Sequence, residues 1–331
     1  MKPPLDTQIL RRRQFLRSLL RSTMLALGVA TGGLSLWDRK GPSAKTVEEK
    51  LNPLPNYAIV ERSAKLAMAH GMDRRRGIGQ ALDALGGMAA FVKPGERVLI
   101  KVNAAFATPP ALCATTHPDA VTEVIRRCFE AGAGEVIVAD NPINDPATCF
   151  ELSGIGPAAR QAGARVLLPH PDRFRNFSLP GGRLIQRWPL FDEPLRAADR
   201  VIGLSPVKDH HRSGASLGLK NWYGLLGGRR NIFHQEIHAI ILELAMMIKP
   251  TLTILDGTLS MMRNGPTGGS LDDLKPTATV IAGTDPVAVD ALGATLLEKS
   301  ADDLPHLAMA QTKGLGVADY GQLHPIIVSG S

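Results

Sequence analysis

Residues 97–140 read RVLIKVNAAFATPPALCATTHPDAVTEVIRRCFEAGAGEVIVAD, and their pattern sets the architecture. Arg97 to Val102 is an apolar run of the kind that forms a strand covered on both faces. From Pro118 to Ala131 the apolar residues recur at helical spacing, with proline in the first turn and Gly132 after the end. Glu135 to Asp140 is apolar again. Strand, helix and strand at this spacing make a βαβ unit, so the first pair of strands should be parallel.

The same alternation extends in both directions. Upstream, a helix is expected from Arg76 to Ala90, ending before Lys93-Pro94-Gly95. Downstream come a helix over Gly156–Ala162 and a strand over Arg165–Leu168. The stretch Arg173–Pro194, rich in Pro, Gly and Arg, reads as a small β excursion. Strands are expected at Arg200–Leu204, Thr251–Asp256 and Thr277–Ala282, with helices at Phe233–Ile248 and Pro286–Glu298. The fold class is therefore α/β, with mostly parallel sheet covered by helices on both faces. Two lobes around a cleft remain an open variant of it. No fixed-period repeat occurs.

The net charge of +7 suggests a nucleic-acid binder until it is located. Residues 1–44 carry +6 of it, leaving a nearly neutral body, so no nucleic-acid partner is expected. Arg11-Arg12-Arg13-Gln14-Phe15-Leu16-Arg17 resembles the twin-arginine export signal, and an uncharged run from Ser22 to Trp37 follows, short for a membrane span. Three segments are expected: 1–44 as signal or N-terminal anchor, 45–57 as linker, and 58–331 as the α/β domain. Pro42-Ser43-Ala44 is the nearest cleavage candidate, and an uncleaved anchor is the alternative. The resemblance implies a periplasmic or extracytoplasmic location, the twin-arginine translocase as a partner, and membrane contact only through the N-terminal segment. Cys113, Cys128 and Cys149 form no C-x-x-C, so no iron–sulfur cluster is expected; a Cys113–Cys149 disulfide is left open.

Polar motifs follow the C-terminal ends of the expected strands, where ligands bind in open α/β sheets. They are Lys101-Val102-Asn103, Thr115-Thr116-His117-Pro118, Asp140-Asn141-Pro142, Lys208 to His234, Asp256-Gly257, Asn264-Gly265-Pro266 and Thr284-Asp285-Pro286. Asp140 reads as a turn, and Asp285 as either a helix cap or a ligand group. His117 is either an acid–base group beside a helix start or an exposed neighbour of a cap. The segment Lys208–His234 is the densest in chemistry. Lys220, among apolar neighbours, is a nucleophile or base, or a cation for a carboxylate or phosphate. His210 and His211 are adjacent on an extended chain, so only one should face a site. His234 and His238 stand four apart, a spacing that suits a metal pair, and His234 is the better placed. Lys101, Asn103, Ser213, Ser216, Asn221, Arg229, Arg230, Asp256, Asn264 and Asp285 complete the ligand-binding candidates, with Lys220, His117, His210 and His211 catalytic and His234 the metal ligand.

Together these motifs resemble the domain-of-unknown-function family number 362. The likeness rests on Lys101 with Asn103, Thr116-His117-Pro118, Leu219-Lys220-Asn221, Asp256-Gly257, Asn264-Gly265-Pro266 and Asp285-Pro286-Val287-Ala288-Val289-Asp290, over roughly residues 95–300. Many relatives carry a ferredoxin-like module whose cysteines this chain lacks. His210, Ser213-Gly214, Lys220, Gly224 and His234 are also similar to the cofactor loop of the nickel-pincer lactate racemase family. That likeness implies Lys220 as cofactor tether, His234 as metal ligand, and His210 with His117 as the acid–base pair. The expected function is a cofactor- or metal-dependent exported enzyme, an isomerase or oxidoreductase, acting on a small anion at a Lys/His-lined cleft. The alternative is a non-catalytic periplasmic metal- or ligand-binding protein.

Overall fold

The computed structural model describes residues 5–35, 53–59 and 65–329. Contacts divide the chain into two units, Met1–Pro42 and Ser43–Ser331. In the first, α1 (Leu5–Ser35) is one helix along which Phe15, Leu16, Leu19, Leu20, Met24 and Leu25 are exposed. Among the described residues no helix is long and apolar enough to cross a membrane. Trp37, the cleavage candidate Pro42-Ser43-Ala44, residues 45–52 of the expected linker and Val60 lie outside the described residues. Tyr57, at the end of that linker, is docked on the body: its hydroxyl donates to Leu195 O at 2.8 Å and its carbonyl accepts from Thr251 Oγ1 at 2.8 Å.

The second unit is built on one sheet, which includes β1 (Leu66–His70), β2 (Arg97–Lys101), β3 (Glu135–Ala139) and β4 (Arg165–Leu167). A separate hairpin, β5 (Phe174–Phe177) with β6 (Trp188–Phe191), is the excursion expected from the Pro- and Gly-rich stretch. The sheet continues with β7 (Arg200–His210), β8 (Gly214–Ser216), β9 (Leu252–Met261), β10 (Leu274–Gly283) and β11 (Ile326–Val328). Its order is β11-β1-β10-β9-β7-β2-β3-β4, with β8 folded back antiparallel on the end of β7. The pairs from β9 to β4 are all parallel, and β10 is antiparallel to both β9 and β1.

Alternation along the strands supplies two faces. Val98, Ile100, Val136, Val138, Ile202 and Leu204 form a core with α2 (Arg74–Ala84) and α3 (Pro118–Glu130). Leu99, Ile137, Ala139, Val201, Leu255 and Ile281 face the other way. They pack with α8 (Ile237–Met247), α9 (Pro286–Thr295) and α10 (Pro305–Thr312). Shorter helices, α4 (Pro146–Leu152), α5 (Ile155–Gln161), α6 (Glu193–Ala197) and α7 (Gly218–Asn221), fill the connections. Both layers belong to one unit, so the two-lobe variant is not realised.

Two elements differ from the sequence reading in ways that matter for the site. Strand β7 runs to His210 rather than ending at Leu204, because β8 pairs Lys208 with Ser216 and His210 with Gly214. The expected helix Phe233–Ile248 splits into a 3₁₀ segment, Arg230–Glu236, followed by α8. Helix α2 likewise stops at Ala84, with a separate 3₁₀ turn at Met88–Ala90. Cys113, Cys128 and Cys149 are buried free thiols, so the disulfide left open is not formed.

Candidate functional site

Lys101 ends β2 on the same side as Leu99, facing the layer that contains α7 and α8. Asp140 follows β3, and Lys208 and His210 stand near the end of β7. The segment from β8 through α7 crosses over these three strand ends. Together they enclose a cavity of about 80 Å³ lined by Lys101, Asn103, Asp140, Lys208, His210, Ser216, Lys220, Asn221, Tyr223, Gly224, Arg230 and His234, with Pro266 at one side. Six of the lining residues are lysine, arginine or histidine, set beside apolar Ala105, Phe106 and Ile143, and Asp140 is the carboxylate among them.

Three of the four cations are fixed by neighbours. Lys101 is 1% exposed; its Nζ lies 2.7 Å from Asp140 Oδ1 and donates to Val102 O and Asn221 Oδ1. Lys208 donates to Ala114 O and, at 3.3 Å, to Asn103 Oδ1. The Arg230 guanidinium donates to four carbonyls, those of Tyr223, Leu226, Asn141 and Pro142. Lys220 differs. Its Nζ lies over the Tyr223 ring, 5.4 Å from the centroid, and no residue among those described accepts a hydrogen bond from it.

The low-dielectric setting sets the protonation states. Burial, followed by the nearby Arg230 and Lys101 charges, lowers the Lys220 pKa to about 7. Burial and the Lys220 charge lower Lys208 to about 7 as well. Lys101 is also lowered by burial, against which Asp140 works. The imidazoles of His210 and His234 are held below their usual range, chiefly by burial and then by Lys220, so both are neutral.

Hydrogen bonds fix their tautomers. Nδ1 of His210 accepts from the backbone N–H groups of Arg212 and Ser213, which leaves a proton on Nε2. Nδ1 of His234 faces Asn231 O at 3.2 Å and the Tyr223 hydroxyl at 3.2 Å. That hydroxyl spends its own proton on Arg230 O, so His234 must donate from Nδ1 and its Nε2 carries the lone pair. The two rings stack at 5.7 Å between centroids, one presenting a donor and the other an acceptor.

The scaffold around the cavity explains several motif residues. Asp290, in α9, accepts from Gly218 N at 2.8 Å and Leu219 N at 2.9 Å, and so pins the turn that carries Lys220. Burial raises the Asp290 pKa to about 7 despite those bonds. Asn221 joins Lys101 and Asn103 through its side-chain oxygen. Gly224 is a close-approach glycine: a Cβ there would overlap Asp140 Oδ1 and Lys101 Nζ.

The structure gathers Lys101, Asn103, Ser216, Lys220, Asn221, Arg230, His210 and His234 of the sequence candidates at this cavity. Others stand elsewhere. His117 is the N-cap of α3, its Nδ1 accepting from Asp119 N. Asp256 pairs with Arg74 at 2.6 Å. Asp285 caps α9, accepting from Val287 N and Ala288 N. Asn264 donates to Asp273, and the Gly265 carbonyl faces His211 Nδ1 at 3.2 Å. Ser213 bonds Ala215 O and shapes the turn behind His210, while Arg229 is not among the lining residues.

His210 and His211 do not diverge, because the chain turns at His211; their rings stack at 5.1 Å, with His210 in the cavity and His211 exposed. His234 and His238 both border an open groove of about 430 Å³, yet the 3₁₀ winding before α8 sends them to different partners. His238 Nδ1 meets His306 Nδ1 at 3.1 Å. Among the described residues no three His, Cys, Asp or Glu side chains converge as a metal centre. Sequence reasoning gave Lys208 and Tyr223 no individual role and took Asp140 for a turn, although it placed Asp140 at a strand end.

A family described as "Domain of unknown function (DUF362)" matches residues 98–295. The thylakoid-associated protein sll1697 of Synechocystis sp. is 29% identical over 243 residues, covering 71% of this chain and 73% of its own. The lactate racemase apoprotein from Thermoanaerobacterium thermosaccharolyticum aligns at 14% identity and a TM-score of 0.36 over 74% of this chain and 58% of its own. A structural-genomics protein from Thermotoga maritima aligns at 12% identity and a TM-score of 0.34 over 72% and 58%. The chain thus spans 58% of the length of either solved structure.

Proposed function

The chain belongs to the domain-of-unknown-function family DUF362, and we propose that its cavity binds a small anion and that Lys220 acts on it chemically. One observation carries this reading. Lys101, Lys208, Lys220 and Arg230 surround a single buried cavity against one carboxylate, Asp140, which is already paired with Lys101. Gathering unpaired cations in a dry site is costly unless an anion compensates them. The fixed cations are suited to hold its charge, and the unbonded amine of Lys220 is suited to react as base or nucleophile. We further propose that the protein is exported by the twin-arginine route and acts outside the cytoplasm. The arginine motif supports this, as does the thylakoid association of its Synechocystis relative.

The metal and pincer-cofactor expectation meets a mixed fit. Lys220 with a free amine and His234 with a free Nε2 suit a tether and a ligand. The space does not: ligand pockets for molecules of that size run to about 300–1,000 Å³, against about 80 Å³ here. No step is routed through such a group.

Anion binding should pull the lysine pKa values upward, so at pH 8 it should draw protons from solution. Titration calorimetry with a panel of small carboxylates and phosphate, in buffers of different ionisation enthalpy, measures that uptake. Binding with net proton uptake, lost in a Lys208→Met/Lys220→Met double variant, is the expected result. Absence of binding across the panel, or binding unchanged in the double variant, removes this reading.

A further inference from the structure

We propose that the anion is a small 2-oxo carboxylate and that Lys220 forms an imine with its ketone; this rests on the anion-site reading above. The geometry separates two tasks. The Nη hydrogens of Arg230 and the Nζ hydrogens of Lys101 are taken up by carbonyl, carboxylate and amide oxygens, so these two attract a carboxylate through charge, while Lys208, with two acceptors, keeps one N–H for it. Lys220 alone among the four has no hydrogen-bond acceptor, so its amine can move onto an electrophile. At roughly 10–15 Å³ for each water-sized occupant, a cavity of about 80 Å³ admits a molecule of three or four carbons.

The two histidines supply what imine formation needs. The neutral amine of Lys220 adds to the ketone carbon, and its proton passes to Nε2 of His234, the lone-pair nitrogen. His234 returns that proton to the ketone oxygen and then carries the second amine proton to the same oxygen, which departs as water, while Nε2–H of His210 steadies it by a hydrogen bond without giving up its proton. A C=N bond replaces a C=O bond, one water departs, and no electrons are exchanged. A lysine lowered to about 7 has a large neutral fraction near physiological pH, which favours the first step.

Reductive trapping tests this on the full-length protein. It is incubated with pyruvate and cyanoborohydride, and the intact mass and the modified peptide are read by mass spectrometry. One reduced adduct should form, map to Lys220 and saturate with pyruvate. Acetate, which has the carboxylate and no ketone, should protect it. Lys220→Arg should lose the adduct while still binding acetate by calorimetry. Because the peptide is mapped in the unaltered protein, a misfolded variant does not affect the reading. Pyruvate that binds without an adduct at Lys220, or adducts scattered over surface lysines, overturns the imine and leaves the anion site standing. Binding of other anions but not pyruvate overturns the 2-oxo acid assignment. Absence of binding by any anion overturns both.

Discussion

Replacing Lys220 with Met should make the protein more stable at neutral pH. The side chain is 9% exposed and its pKa is lowered from 10.5 to about 7, so the folded state opposes a charge that the unfolded state accepts freely. The sign follows from linkage. A depressed folded-state pKa withholds stability at any pH below the unfolded value, and stability recovers as pH rises between the folded and unfolded values. At pH 7 the penalty is on the order of 4 kcal/mol; by pH 8.5 it has fallen by about 2 kcal/mol. Methionine fills nearly the same volume without the charge, so Lys220→Met should be more stable than wild type by up to that amount at pH 7, with a smaller advantage at pH 8.5. Cysteines and histidines that titrate near this window in the unfolded chain are common to both proteins and cancel in the difference, whereas Lys208, freed of the Lys220 charge in the variant, adds to its advantage. Urea unfolding of the two proteins at pH 7 and pH 8.5 measures it. A less stable variant at pH 7, or a difference that does not shrink with pH, would show that Lys220 is not held in a cation-hostile site.

Removing Asp140 as Asn should cost about 3–5 kcal/mol, the range for stranding a buried charge, while adding Lys101→Met should recover most of it in a double-mutant cycle by denaturant unfolding. Gly224→Ala should force Asp140 and Lys101 apart and abolish anion binding in calorimetry, with a clear loss of thermal stability. Glu243→Ala should cost about 2–4 kcal/mol, since the N–H groups of Arg183, Leu184 and Ile185 lose their acceptor, and limited proteolysis should then cut first near residue 183. Asp290 has a raised folded pKa, so wild type should lose stability relative to Asp290→Asn as pH rises from 4 towards 7, readable from paired unfolding curves.

The sheet and its two helical layers were legible because strand alternation and helical spacing are strong local signals. The length of β7 was not, since Pro206 and the polar run Lys208-Asp209-His210 look like a strand ending. They continue the strand because β8 pairs with it and the cavity receives the side chains of Lys208 and His210. Lys220, His210 and His234 could be singled out by residue type. Asp140 could not be told from a turn residue, because its role depends on Lys101 beside it and on the bare backbone of Gly224 against both. His117 and Asp285 illustrate the reverse: residues whose chemistry invites a catalytic role but whose hydrogen bonds close helix ends.

The Asp290 clamp also has a consequence for biosynthesis. The cavity draws on residues 101 to 266, but the acceptor that fixes the Lys220 turn lies in α9, 71 positions beyond Leu219. A nascent chain released short of that helix leaves the Gly218 and Leu219 amides without their carboxylate. The reactive amine therefore acquires its setting late, after the parallel strands have found one another, which is itself a slow step for such long-range pairing. Partial chains on the ribosome would carry an ordinary surface lysine, and reactivity would arise only in the finished fold.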